Sequence, residues 1–185
     1  MAWINIIDEK NADGKLKEVY DEITSARGKL SNIMKIHSLN PLAMKSHMDL
    51  YLSVMFSKSG IRREDSEMIA VVVSSANECE YCINHHAEAL NQYWKDENKI
   101  KKLAEDYKQL DLSIKQMAML SYAVKLTIMP NTVSETDIAN LKVHDFTDEN
   151  ILNINLIVSY FNFVNRIVLG LGVKFNEDEL KGYKY

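Results

Sequence analysis

The sequence predicts an all-α protein. Only two prolines and six glycines punctuate its 185 residues. No stretch sustains the strict alternation of a half-buried strand, and apolar residues recur at the three-to-four spacing of amphipathic helices. That period predicts helices over 13–27, 41–56, 63–76, 80–93, 97–107, 114–128, 134–144 and 148–170. Pro41 after Asn40 starts the second of these, because proline suits a first turn whose N–H has no partner in any case. The segment "MPNTVSETD" breaks the chain between two helices, with Ser134 as N-cap and Asp137 three residues on. Thr147 followed by Asp148 and Glu149 opens the last and longest helix, placing acid at its positive end.

At this length the chain fits one domain, residues 1–185, able to bury its own core without cross-links. A formal charge of −4, with Lys and Arg scattered, argues against nucleic acid as a partner, since phosphate binding needs a basic face. Two apolar stretches bear on a membrane. "MIAVVV" is too short to span one. "ILNINLIVSYFNFVNRIVLGLG" is long enough, but it contains four asparagines and Arg166. Both are expected to be buried helices of a soluble, membrane-free protein. The N-terminus has neither the basic start nor the apolar run of a signal peptide, so a cytoplasmic, reducing location is expected. There a close cysteine pair serves redox chemistry, catalysis or metal binding more often than it serves as a structural staple.

One internal echo is present. "IRREDSEMIAVVVSSAN" and "FTDENILNINLIVSYFN" both open with charge, continue as an apolar helix and close on Asn. A duplicated helical unit with one active copy would produce this pattern, and so would two unrelated buried helices.

The chemistry concentrates in "ECEYCINHHAEAL", residues 78–90, which holds both cysteines. A helix starting near Cys79 puts Cys79 and Cys82 one turn apart on the same face, close to free N–H groups that favour thiolate over thiol. His86 lies one turn beyond Cys82 on that face and can accept its proton. His85 points about 100° away and is expected to be a bystander. If the helices over 63–76 and 80–93 fold back antiparallel, Glu67 lies about ten residues before the turn and His86 about eight after it. At ~1.5 Å per residue they stand at nearly the same height. A buried carboxylate there would orient the imidazole and raise its basicity. Ser74, two turns on from Glu67, would face the cysteines.

Glu67, Cys79, Cys82 and His86 match E-x11-C-x-x-C-x-x-x-H. This resembles the AhpD-like alkyl hydroperoxidases of the carboxymuconolactone decarboxylase superfamily, as do "HSLNPLAM", "EYCINHH" and "YFNFVNRIVLGLGV". The resemblance runs from about residue 25 to 175. It implies an AhpD-like helical fold, assembly into homo-oligomers (often trimers or hexamers), and an antioxidant peroxidase activity on hydroperoxides without a cofactor. It also implies roles: Cys82 attacks the peroxide, Cys79 resolves the sulfenic acid to a disulfide, and His86 takes the thiol proton with Glu67 as relay. An external dithiol, lipoyl-type in the best-known members, would reduce the disulfide. One position departs from the pattern, for Tyr81 stands where the AhpD type often has His.

Two other readings use the same residues. One is a thiol–disulfide oxidoreductase or redox sensor with little peroxide turnover. The other is a metal-binding or non-catalytic oligomeric scaffold, with the cysteines and His85 or His86 as three ligands. Met34, Met44, Met48 and Met55 read as packing residues. Asn162, Asn165 and Arg166 read as polar groups satisfying buried contacts, while His37, His47 and His144 have no partner in the sequence.

Overall fold

Helix after helix follows the periodicity of the chain in the computed structural model, which describes residues 2–175, 179 and 183. In order they are α1 (Gly14–Arg27), α2 (Asn32–Lys35), α3 (Pro41–Phe56), α4 (Arg63–Ala76), α5 (Glu80–Trp94), α6 (Glu97–Asp106), α7 (Ile114–Ile128), α8 (Glu135–Val143) and α9 (Asp148–Leu171). The fold is all-α, and no strand occurs among the described residues. Every helix expected from the sequence is present, with each end within one residue of its expected place. The addition is α2, whose four residues are too few to show a period, although they bury Ile33 and Met34.

The backbone divides into two compact units, Met1–Ser53 with Arg166–Tyr185, and Val54–Asn165. In the first, α1 buries Leu16, Val19, Tyr20 and Ile23, the three-to-four stripe that amphipathicity requires. It ends on Gly28, whose φ of 78° closes the helix in the left-handed region open to glycine. Met34, Met44 and Met48 are buried here as packing residues. His37 and His47, unassigned in the sequence, meet: His47 Nδ1 lies 3.4 Å from His37 Nε2.

In the second unit α4 is the central element and packs against α5, α6 and α7. All nine residues from Ser66 to Ser74 are buried, which is why this helix reads as a nearly continuous apolar run. The caps that the sequence suggested are formed. The Asp137 carboxylate accepts from the Ser134 N–H at 2.8 Å. Thr147 and Asn150 exchange backbone-to-side-chain bonds of 3.1 and 3.2 Å. α9 is long and apolar enough to cross a membrane by length and composition, yet Ile154, Ile157, Val158 and Phe161 are fully buried against protein.

Candidate active site

The site is built on the α4–α5 hairpin, inside the second unit, and its turn decides where the first sulfur goes. α4 closes through three backward bonds: Asn77 N–H to Val73 O (3.1 Å), Glu78 N–H to Ser75 O (2.9 Å) and Cys79 N–H to Ser74 O (2.9 Å). The last two are the paired bonds of a Schellman close, which needs a left-handed residue after the helix. Glu78 fills that position at φ 56°, where glycine is usual. Cys79 then becomes the N-cap of α5 and Cys82 lies in its first turn.

Both cysteines are free and buried, with their sulfurs 2.9 Å apart. The two thiols are pushed in opposite directions. A hydrogen bond from the Cys82 thiol lowers the pKa of Cys79. Burial opposes this, and the Cys82 backbone N–H and Asn165 amide assist it. The same hydrogen bond, burial and the Cys79 charge push Cys82 well above its ordinary value. The sequence reading placed the thiol proton transfer between Cys82 and His86. Of the two thiols, the capping residue Cys79 is the one whose ionisation is favoured, and among the described residues no hydrogen bond joins His86 to either sulfur.

Glu67 and His86 meet as the helical rise predicts, with Nδ1 2.6 Å from Oε2. Glu67 is fully buried, and burial acts to raise its pKa. The charge that His86 carries when protonated and its hydrogen bond, together with the charge and hydrogen bonds of Arg63, outweigh burial, so the net direction is down. An ionised carboxylate can only accept, so Nδ1 carries a proton and Nε2 is the position left for exchange. Phe161 packs edge-on to the imidazole, at 4.5 Å between ring centroids and 79° between planes, and helps fix the ring. His85 turns aside to lie tilted against Tyr81, at 4.5 Å between ring centroids and 40° between planes.

A polar layer from α9 backs the cysteines. Asn165 donates to the Ser74 hydroxyl at 3.2 Å. The Asn77 amide donates to both Asn165 (2.9 Å) and Asn162 (3.1 Å), while Asn162 donates to Thr127 at 3.1 Å. Asn77 and Asn162 are the residues that close the two echoing segments, and they bond to each other. No group of three or more His, Cys, Asp or Glu among the described residues is placed to hold a metal ion.

The Carboxymuconolactone decarboxylase family profile matches residues 41–124, a stretch that contains the whole motif. A peroxidase-related protein with an alkylhydroperoxidase AhpD core, from Ralstonia eutropha JMP134, superposes with a TM-score of 0.86. It is 25% identical, covering 97% of this chain and 94% of that one. The likeness is to the AhpD-like proteins of the carboxymuconolactone decarboxylase superfamily. A second peroxidase-related protein, from Silicibacter sp. TM1040, gives a TM-score of 0.85 at 26% identity over 97% of this chain and 94% of its own. The uncharacterised protein YdfG of Bacillus subtilis (strain 168) is 24% identical over 144 residues, 77% of this chain and 96% of the relative.

Beyond Glu67, Cys79, Cys82 and His86, the structure brings in further side chains. Arg63 donates to Glu67 Oε1 through Nε (2.9 Å) and Nη2 (2.6 Å). The signal for it was present, since Arg63 and Glu67 are four residues apart on one helix. Asn165 was expected to satisfy a buried contact, and it does, but its place beside the sulfurs was not foreseen.

Proposed function

We propose that this chain is a thiol-dependent peroxidase of the alkyl hydroperoxide reductase type. The observation that supports it is a buried, adjacent dithiol in the same compact unit as a buried carboxylate–imidazole pair. Cys82 thiolate attacks the peroxide O–O bond and takes one oxygen as sulfenic acid, and the alkoxide leaves as the alcohol after gaining a proton. Cys79 thiolate then attacks the Cys82 sulfur and expels water, forming the Cys79–Cys82 disulfide. In sum, the dithiol and ROOH give the disulfide, ROH and water. An external dithiol restores the reduced pair by thiol–disulfide exchange.

Cys79 is the easier of the two thiols to ionise, and that defines the work of the base. The Cys82 proton must leave before attack, by passing to Cys79 across 2.9 Å or to His86 Nε2 through a bridging water. His86 returns a proton to the leaving oxygen, and Glu67 holds the imidazolium formed in between.

Peroxide consumption with dihydrolipoamide as reductant tests the reading. Turnover is expected in the native chain and is lost in Cys82→Ser. Cys79→Ser is expected to accumulate a trappable Cys82 sulfenic acid. Equal turnover in Cys82→Ser would overturn the assignment.

A second reading has one observation behind it. A depressed first thiol and a raised second are what dithiol exchange on a protein disulfide uses. In that case Cys79 attacks a disulfide substrate and no sulfenic acid forms with peroxide. We also infer a homo-oligomer, supported by Leu152, Leu156 and Phe163 exposed along one stripe of α9; light scattering of the purified chain would show a monomer if this is wrong.

A further inference from the structure

Arg63 is the first residue of α4, the helix end where the dipole disfavours a cation. Its order relative to Glu67, cation four residues before the acid, is the weaker one for a helix pair. Helix stability therefore does not account for the arrangement. The guanidinium is nonetheless held from three sides. It forks onto Glu67 Oε1, donates to the Met55 carbonyl at 2.8 Å, and lies 3.8 Å from the centre of the Phe56 ring. Its side chain is 18% exposed and that of Glu67 1%.

The two carboxylate oxygens are thus divided, Oε1 to Arg63 and Oε2 to His86. With Arg63 present, the buried Glu67 charge is already balanced, and His86 is not required as a counter-ion. Without Arg63, a Glu67 that stays ionised needs an imidazolium as its counter-ion, and an imidazolium has no lone pair to take a thiol proton.

We propose that Arg63 is a positioning residue that neutralises Glu67 and so keeps His86 available as a neutral base. Among the described residues, the charged and titratable partners of Glu67 are Arg63 from its own helix and His86 from α5, and α6 and α7, which also pack on α4, supply none. Phe161 and Asn165 of α9, and Met55 and Phe56 at the end of α3, do not titrate. The kinetic part of the role rests on the peroxidase reading, while the protonation state of His86 does not.

The test uses the full reduced chain with Arg63→Gln and Arg63→Lys. Nitrogen-15 NMR of the histidine rings at neutral pH should show His86 as the neutral Nδ1–H tautomer in the native chain. In Arg63→Gln it should become largely imidazolium. The acid limb of kcat/KM against pH should move up by about one to two units in Arg63→Gln, with most of the shift reversed in Arg63→Lys. An Arg63→Gln protein with a neutral His86 and an unmoved limb would overturn the role. If Arg63→Gln does not fold, Arg63→Lys decides, because a folded Lys variant with a charged His86 would show that the cation alone is not what matters. If the native chain turns over no peroxide, the peroxidase reading fails and the NMR result still decides the role of Arg63.

Discussion

Two histidine pairs, one in each unit, show what an enclosed imidazole does with and without a carboxylate. In the second unit His86 faces Glu67, itself balanced by Arg63. In the first, His47 is 3% exposed and its neighbour is another imidazole, His37. Burial, and then the charge of His37, pushes the pKa of His47 down to about 3. Burial lowers His37 as well, against the pull of its bond to the Ile33 carbonyl. Burial alone makes histidine a neutral packing group. A buried acid, with a cation to balance it, makes it a group able to hold a proton and give it back.

The largest effect that would break this contrast is on rate. Glu67→Gln keeps the shape of the acid and removes its charge. Peroxide turnover is expected to fall by about 10²–10⁴-fold, while His47→Gln in the same steady-state assay changes it by less than about twofold. Comparable losses in both would mean that the carboxylate is not what separates the two histidines.

Supplying an acid to the other pair is the next test. His37→Glu places a carboxylate beside His47, and the His47 titration followed by ring-proton NMR should rise from about 3 by about one to three units. An unmoved titration would show that burial dominates whatever the partner.

Acid stability sharpens the comparison further, because the two sites lose stability in different windows. The folded pKa of His47 lies below its unfolded value near ~6.5, so the unfolded chain binds the extra proton. Its contribution is intact above that value and is lost as pH falls toward about 3, by up to about 1.4 kcal/mol per pH unit. Glu67, also depressed, contributes above the ordinary carboxylate range near ~4.3 and loses that contribution only as pH falls below it. Denaturant unfolding between pH 6.5 and 4.5 should therefore flatten in His47→Gln and keep its slope in Glu67→Gln.

The smallest effect concerns the turn. Glu78→Gly relieves a left-handed residue and should stabilise the chain by up to about 1 kcal/mol in denaturant unfolding. A loss of stability would show that the Glu78 side chain contributes more than its backbone costs.

Much of the fold was legible because its signals are local: period, the proline start of α3, and the caps at Ser134 and Thr147. Glu67 and His86 were legible because two helices joined by a tight turn obey a fixed rise, so spacing becomes height. The rest depends on contacts that spacing encodes weakly or not at all. Arg63 stands beside Arg62 at a helix start and reads as a solvated charge until its fork onto a buried acid is seen. Asn165 meets Ser74 across 91 positions. His37 and His47 are ten residues apart on either side of a chain turn, which gives no hint that they touch. The charge balance between the sulfurs depends on which donors surround each one.

The Schellman close at Glu78 gives the motif a mechanical meaning. Because Cys79 is tied back to Ser74, the first sulfur is in effect carried by the end of α4, and Glu67 rides on the same rod. The eleven residues between them measure a fixed length and a fixed rotation. One residue inserted or deleted within α4 would turn Glu67 by about 100° and slide it by about 1.5 Å, taking the carboxylate off the imidazole. The stretch before Arg63 acts on the site only through the Met55 carbonyl and the Phe56 ring that hold the guanidinium, so a change of length there would loosen Arg63 and leave Glu67 in register with Cys79.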